Sequence, residues 1–275
     1  MPARDRIPKS YIDTPHGQVH LRIAGAGSRV VLMLHWTPLT GRFYAGIAEN
    51  LAARGFRAIM PDLLGYGRSD PRPDPWSMAA YGENLLGVLQ ALGVYDCVVL
   101  GGHNGASIAI EMALKSAAVR GVILDGVPVL TPELRAAFAN LRESPRPSVK
   151  EDGSHATLAW DRTVGLLKMY IPGFEVNDAS LDMIHLTLKD YLETDFVTAG
   201  AVAASFDAEI ELPKVTQPVF LLGAELETLA ASFPIAQALR PEAGSHFFAG
   251  HHPLLVGGRE QEYVDAIMPF LEAHT

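Results

Sequence analysis

The sequence predicts an α/β fold, a mostly parallel sheet interrupted by a helical insertion, and three observations carry that reading. Short continuous apolar runs, Val30-Val31-Leu32-Met33-Leu34 above all, suit strands covered on both faces. They alternate with helix-compatible stretches at a spacing that implies right-handed crossovers between parallel strands. The rhythm lapses between Pro128 and Pro218 and then resumes.

Taken in order, Gln18–Ile23 reads as an early strand between His16-Gly17 and Gly25-Ala26-Gly27, and Arg29–His35 as a stronger one. Phe43, Ile47 and Leu51 recur on one helical face, so Arg42–Arg54 is a helix that Gly55 stops. Phe56–Met60 is the next buried strand, broken by Pro61-Asp62. Met78–Leu92 is helical up to Gly93, and Cys97–Leu100 is a strand running into Gly101-Gly102. Ala106–Lys115 is a helix, and Val119–Leu124 is a strand ending at Asp125-Gly126. Then come a polar patch, Glu143–Ser154, and helix-compatible runs carrying Trp160, Met169, Tyr170, Met183 and Tyr191. An inserted helical lid over residues 131–212 is the economical reading, with 1–130 and 213–275 forming one core. Pro218–Leu222 resumes the sheet, a last strand is expected between Ala236 and Glu242, and Glu260–Leu271 is the closing helix.

Composition narrows the function classes. A chain of 275 residues, 48% hydrophobic, can bury a substantial core. Its formal charge of −9 argues against nucleic acid or an anionic membrane surface as partner. Cys97 is the only cysteine, so no intrachain disulfide forms, and its apolar surroundings suit a structural thiol. No secretory signal or membrane span is visible, so a soluble cytoplasmic protein is expected, with no particular oligomeric state implied.

The chemistry centres on Leu100-Gly101-Gly102-His103-Asn104-Gly105-Ala106-Ser107. Small residues two positions either side of Asn104 meet the steric demand of a strained strand–turn–helix elbow, which thrusts one side chain above the sheet. Ligands of open α/β sheets bind beyond the strands' carboxyl ends, where this turn would lie.

Here the chain resembles the α/β-hydrolase superfamily over nearly its whole length. Pro61-Asp62-Leu63-Leu64-Gly65-Tyr66-Gly67-Arg68-Ser69-Asp70 matches that family's P-D-x-x-G-x-G-x-S-D loop, and Leu34-His35-Trp36-Thr37-Pro38 stands at its oxyanion loop, L-H-G-x-P. Gly102-His103-Asn104-Gly105-Ala106 stands at the elbow G-H-S-x-G, and His246-Phe247 with Pro253 has the spacing of the catalytic-histidine segment. The resemblance implies His246 as general base facing Asn104, with Asp125 as its orienting acid and Glu225 or Glu227 as alternatives. It also implies backbone donors from Thr37 and Gly105 for an oxyanion hole. Trp36 replaces a glycine and either restricts the pocket or packs the loop. His103 packs beneath the site, and Asp62 and Ser69 fix their loop by turn hydrogen bonds. His251 and His252 are given hydrogen-bonded surface roles. Metal binding is not expected, since no clear ligand set accompanies these histidines.

Asn104 occupies the position where that family carries its nucleophile, yet an amide nitrogen is a poor nucleophile. Three readings follow. In the first, an enzyme needs no covalent nucleophile and uses His-assisted acid/base chemistry in hydrolysis, elimination or cyclisation. In the second, Asn104 replaces the serine of a serine hydrolase or the aspartate of a dehalogenase or epoxide hydrolase. In the third, the pocket serves a non-enzymatic binder. The expected ligand is a small to medium, partly apolar organic molecule in a cavity lined by Trp36, Trp160, Tyr170, Met183 and Tyr191, with no organic cofactor.

Overall fold

The apolar runs become strands because each can be covered twice. A computed structural model describes residues 6–132, 135–136, 148–194, 202–203, 205–255 and 258–275. It contains strands β1 (Lys9–Thr14), β2 (Gly17–Ala24), β3 (Arg29–Leu34), β4 (Phe56–Pro61), β5 (Cys97–Gly102), β6 (Val119–Asp125), β7 (Val219–Leu226) and β8 (Gly244–His251). They form one 8-stranded sheet in the order β1-β2-β4-β3-β5-β6-β7-β8. β2 pairs antiparallel with β1 and β4, and every other neighbouring pair is parallel.

Pleating sends alternate side chains of the central strands into two cores. Val31, Met33, Val98, Leu100 and Ile123 share one core with α1 (Ala45–Ala53) and with the C-terminal helix through Tyr263, Val264 and Ile267. Leu32, Leu34, Val99, Val122 and Leu124 face α2 (Met78–Ala91) and α3 (Asn104–Lys115) on the other side. Cys97 is part of this second core, and burial raises its thiol to about 12, consistent with a packing role.

Between β6 and β7 the described residues form no strand. They include α4 (Ser154–Tyr170), α5 (Leu181–Glu193) and the short α6 (Ala208–Glu211). Leu167, Ile171 and Ile184 of this segment make a small cluster with Trp36 and Leu255. Polar ties add to it. Arg42 donates to Asp190 at 2.5 Å, Thr40 Oγ1 donates to the same carboxylate at 3.2 Å, and Thr194 Oγ1 donates to the Pro38 carbonyl at 3.0 Å. After β7, α7 (Phe233–Leu239) precedes β8, and α8 (Glu260–His274) closes the chain. No helix among the described residues is long and apolar enough to cross a membrane.

Two elements differ from expectation. The polar edge strand β1 carried no buried-strand signal. The final strand is not at Ala236–Glu242, where α7 ends, but further on at Gly244–His251. That shift puts His246 inside the strand and His252 just beyond its end.

Candidate active site

The elbow is built by close backbone approach. The strained backbone expected at Asn104 falls instead on His103, which adopts φ 50° between the tightly packed Gly101 and Gly105, and Asn104 is the first residue of α3. A Cβ on Gly105 would lie 2.3 Å from the Leu34 carbonyl oxygen, and one on Gly102 would fall 1.6 Å from Trp36 Nε1. Neither position has room for a side chain. Asn104 is buried at the start of α3, where the first N–H groups lack intrahelical partners and favour negative charge.

The loop after β3 meets this turn. His35 donates from Nδ1 to the Trp36 carbonyl (3.0 Å) and accepts from Leu63 N–H at Nε2 (3.0 Å), which fixes the loop's course. Thr37 N–H donates to Asn104 Oδ1 at 2.9 Å. Because a peptide N–H is a donor, the amide oxygen is the bound atom and Nδ2 is left as the donor of the side chain. Trp36 is buried, with its indole stacked on His103 (4.1 Å, 13°) and edge-on to His252 at 5.1 Å. Below, Asp62 accepts from Gly41 N–H and Arg68 N–H, and Ser69 Oγ donates to the Asp62 carbonyl, which holds the glycine-bearing loop.

The histidine that the structure brings to Asp125 is His252. Its Nε2 lies 3.0 Å from both carboxylate oxygens of Asp125, and Tyr263 donates to Asp125 Oδ2 at 2.8 Å. Asp125 and His252 are both fully buried. Leu254 N–H donates to His252 Nδ1 at 3.3 Å, so Nε2 carries the ring proton and Nδ1 the lone pair. Burial opposes charge on this ring. The charge and hydrogen bond of Asp125, aided by Glu227, outweigh it and raise His252 above an ordinary histidine.

The expectation that His246 faces Asn104 is therefore corrected. His246 lies within β8, paired in register with Leu222, exposed, its ring against Phe248 at 4.5 Å. β8 is the sheet edge, three strands from β5, about 14 Å away at the usual spacing. The strand continues to His251, and His252 is the first residue beyond its carboxyl end. The surface role expected for His252 is corrected with it.

Asp125 does meet a histidine, at the end of β6 as expected of an acid, though the ring is that of His252. Glu225 is exposed and accepts from Gly250 N–H at 3.0 Å, which ties β7 to β8. Glu227 is different: its side chain is wholly buried, and its Oε2 lies 3.6 Å from His103 Nε2. Trp160, Tyr170 and Met183 pack in the cluster that holds Trp36, whereas Tyr191 stands apart from it, accepting from Arg162 at 3.2 Å. A groove of about 610 Å³ opens at the other end of the sheet, lined by Ser28, Asp96, Arg120 and Thr275. Its Asp96 is paired with Arg120 at 3.5 Å, so the candidate site is assigned by chemistry and not by volume.

Comparison with known proteins follows this geometry. A family model described as alpha/beta hydrolase family matches residues 19–266. An uncharacterized protein of Mycobacterium tuberculosis is 36% identical over 115 residues, 41% of this chain and 33% of that protein. An epoxide hydrolase of Caballeronia sordidicola is 33% identical over 142 residues, 50% of this chain and 43% of that protein. The chain thus spans less than half the length of either relative. A thermophilic esterase from Thermogutta terrifontis, solved with malate bound, superposes with a TM-score of 0.76 at 21% identity, covering 98% of this chain and 100% of that one.

Proposed function

Since the chain belongs to the alpha/beta hydrolase family, matched over residues 19–266, we propose that it is an enzyme using non-covalent acid–base chemistry on a small to medium, partly apolar organic substrate. The observation that carries this is the buried His252–Asp125 pair at 3.0 Å, beside Trp36 at the strands' carboxyl ends. His252 Nδ1 removes a proton from water or substrate, displacing the long hydrogen bond from Leu254. Asp125 stabilises the resulting imidazolium through Nε2–H, as an orienting acid does. Asn104 holds the substrate by donating from Nδ2 to its oxygen, with the Gly105 N–H and the start of α3 as further positive potential. Trp36, Trp160, Tyr170 and Met183 supply the apolar wall, and α4 and α5 act as the lid. The reading calls on no organic cofactor and leaves hydrolysis, elimination and cyclisation as its reaction types.

The test is a panel of esters, lactones, epoxides and haloalkanes assayed with the native protein and three variants. On whatever substrate turns over, His252→Ala should lower turnover about 10²–10⁴-fold, while the exposed His246→Ala stays near the native rate. Asn104→Ser should bring no gain. Full activity in His252→Ala would refute the proposed base.

A second reading draws on the relative named an epoxide hydrolase. Asn104 then stands for an aspartate nucleophile, whose carboxylate could accept the same Thr37 N–H. In that case Asn104→Asp should gain epoxide or haloalkane turnover, with an alkyl-enzyme ester seen as an adduct by mass spectrometry.

A further inference from the structure

The least explained group in the molecule is Glu227. Its side chain is wholly buried, yet neither carboxylate oxygen accepts a hydrogen bond among the described residues. Leaving a buried carboxylate without hydrogen bonds is expensive, so such a group points to something that binds it. Its surroundings narrow what that is. One ligand atom each from Asp125, Glu227 and His252 all lie within 4.8 Å of one another. His103 Nε2, likewise without a hydrogen bond, lies 3.6 Å from Glu227 Oε2. The negative field is felt nearby: Tyr170 is pushed up to about 12, by burial first and by Glu227 second.

We propose that Asp125, Glu227 and His252 form a site for one divalent transition-metal cation of the Zn²⁺ type. Two carboxylates supply the charge a divalent ion balances. The imidazole favours Zn²⁺ or Co²⁺ over Mg²⁺ and Ca²⁺, which take oxygen ligands. Metal–ligand bonds of about 2.0–2.2 Å place two ligands no more than about 4.4 Å apart, so the cluster must contract by a few tenths of an ångström. Glu227, held by no hydrogen bond, is the arm free to do so. Coordination at Nε2 moves the ring proton to Nδ1 and gives up the 3.3 Å bond from Leu254. The ion then occupies the nitrogen and the carboxylate that make up the base pair, so the metal-loaded and base-competent forms exclude each other. Zn²⁺ is accordingly an inhibitor of the chemistry proposed above.

The sites are far apart in sequence, which is why no ligand spacing announced them. The experiment uses full-length protein stripped with a chelator. Zn²⁺ is titrated against a chromophoric chelator, and Co²⁺ is followed by its visible absorption. About one equivalent should bind, with Mg²⁺ and Ca²⁺ far weaker. Glu227→Gln and His252→Ala should each weaken binding at least about tenfold and abolish the Co²⁺ bands, while Glu225→Gln, two residues away and exposed, should change neither. Circular dichroism confirms that each variant is folded. Should Glu227→Gln not fold, Glu227→Asp, which keeps the charge but shortens the arm, should bind more weakly than the native protein with altered Co²⁺ bands. Absence of stoichiometric Zn²⁺ binding, or binding unaltered by every change at Glu227, overturns the proposal. If Zn²⁺ binds while His252→Ala retains turnover, only the catalytic reading fails. If His252→Ala loses turnover while Zn²⁺ does not bind, only the metal site fails.

Discussion

At the scale of single residues, the site depends on which ring reaches over β6 and on which positions tolerate no side chain. Asp125 was legible because an acid at the end of Val122-Ile123-Leu124 has one natural place, above the carboxyl end of a buried strand. The tight turn before α3 was legible from its glycines, but its strained residue is His103 and not Asn104, because the backbone contacts close at Gly101 and Gly105. Which histidine meets Asp125 was not legible: three crowd within His246–His252, and only knowing where β8 ends decides among them. The elbow makes its own prediction. A Cβ on Gly105 would strike backbone, the Leu34 carbonyl oxygen at 2.3 Å, which cannot swing aside as a flexible side chain can. Gly105→Ala should cost about 1–3 kcal/mol, as overpacking in a dense core does, read from the midpoint and slope of urea unfolding. An unchanged midpoint would mean that β3 and α3 can separate more readily than their packing implies.

At the scale of elements, legibility followed burial. β3 and β5 are covered on both faces and stand out as apolar runs, whereas β1 and β8 lie at the sheet edges, mostly exposed and without a continuous aliphatic run. A strand of Gly-Ser-His-Phe-Phe-Ala-Gly-His carries little strand signal, because exposed edges do not select apolar residues. The inserted helices give the element-scale prediction. Asp190 of α5 is buried against Arg42, and its carboxyl is raised to about 6, since burial outweighs the attraction of Arg42 and the hydrogen bond from Thr40. An unfolded aspartate titrates near about 3.9, so between roughly pH 4 and 6 the folded chain holds a proton that the unfolded chain has released. This group's contribution to stability therefore falls as pH rises through that window. Asp190→Asn removes the dependence. Relative to the variant, the native protein should lose thermal stability from about pH 4 to 6, and parallel melting-temperature profiles for the two would contradict the assignment.

At the scale of the whole molecule, the chain divides its burial unequally. All six residues of β5 are buried, and the strand sits between two cores fed by helices on both faces. Of the 17 residues of α4, by contrast, Ala159, Thr163 and Leu167 are the buried ones, and α5 buries Ile184, Thr187 and Asp190. The inserted helices are thus held by the small cluster around Trp36 and by the Arg42–Asp190 and Thr194–Pro38 ties. Local opening draws on the regions with the fewest buried apolar contacts. Native-state hydrogen exchange should therefore show α4 and α5 opening together at a free energy well below that of β3 and β5, which exchange only through global unfolding. Arg42→Ala, which breaks the tie to Asp190 outside the main sheet core, should lower the α4–α5 opening energy and leave strand protection nearly unchanged. Because Trp36 belongs to this cluster, stacks on His103 and meets the His252 ring, the same opening exposes the candidate site. Equal protection across helices and strands would show that the insertion is an integral part of the core and cannot work as a lid.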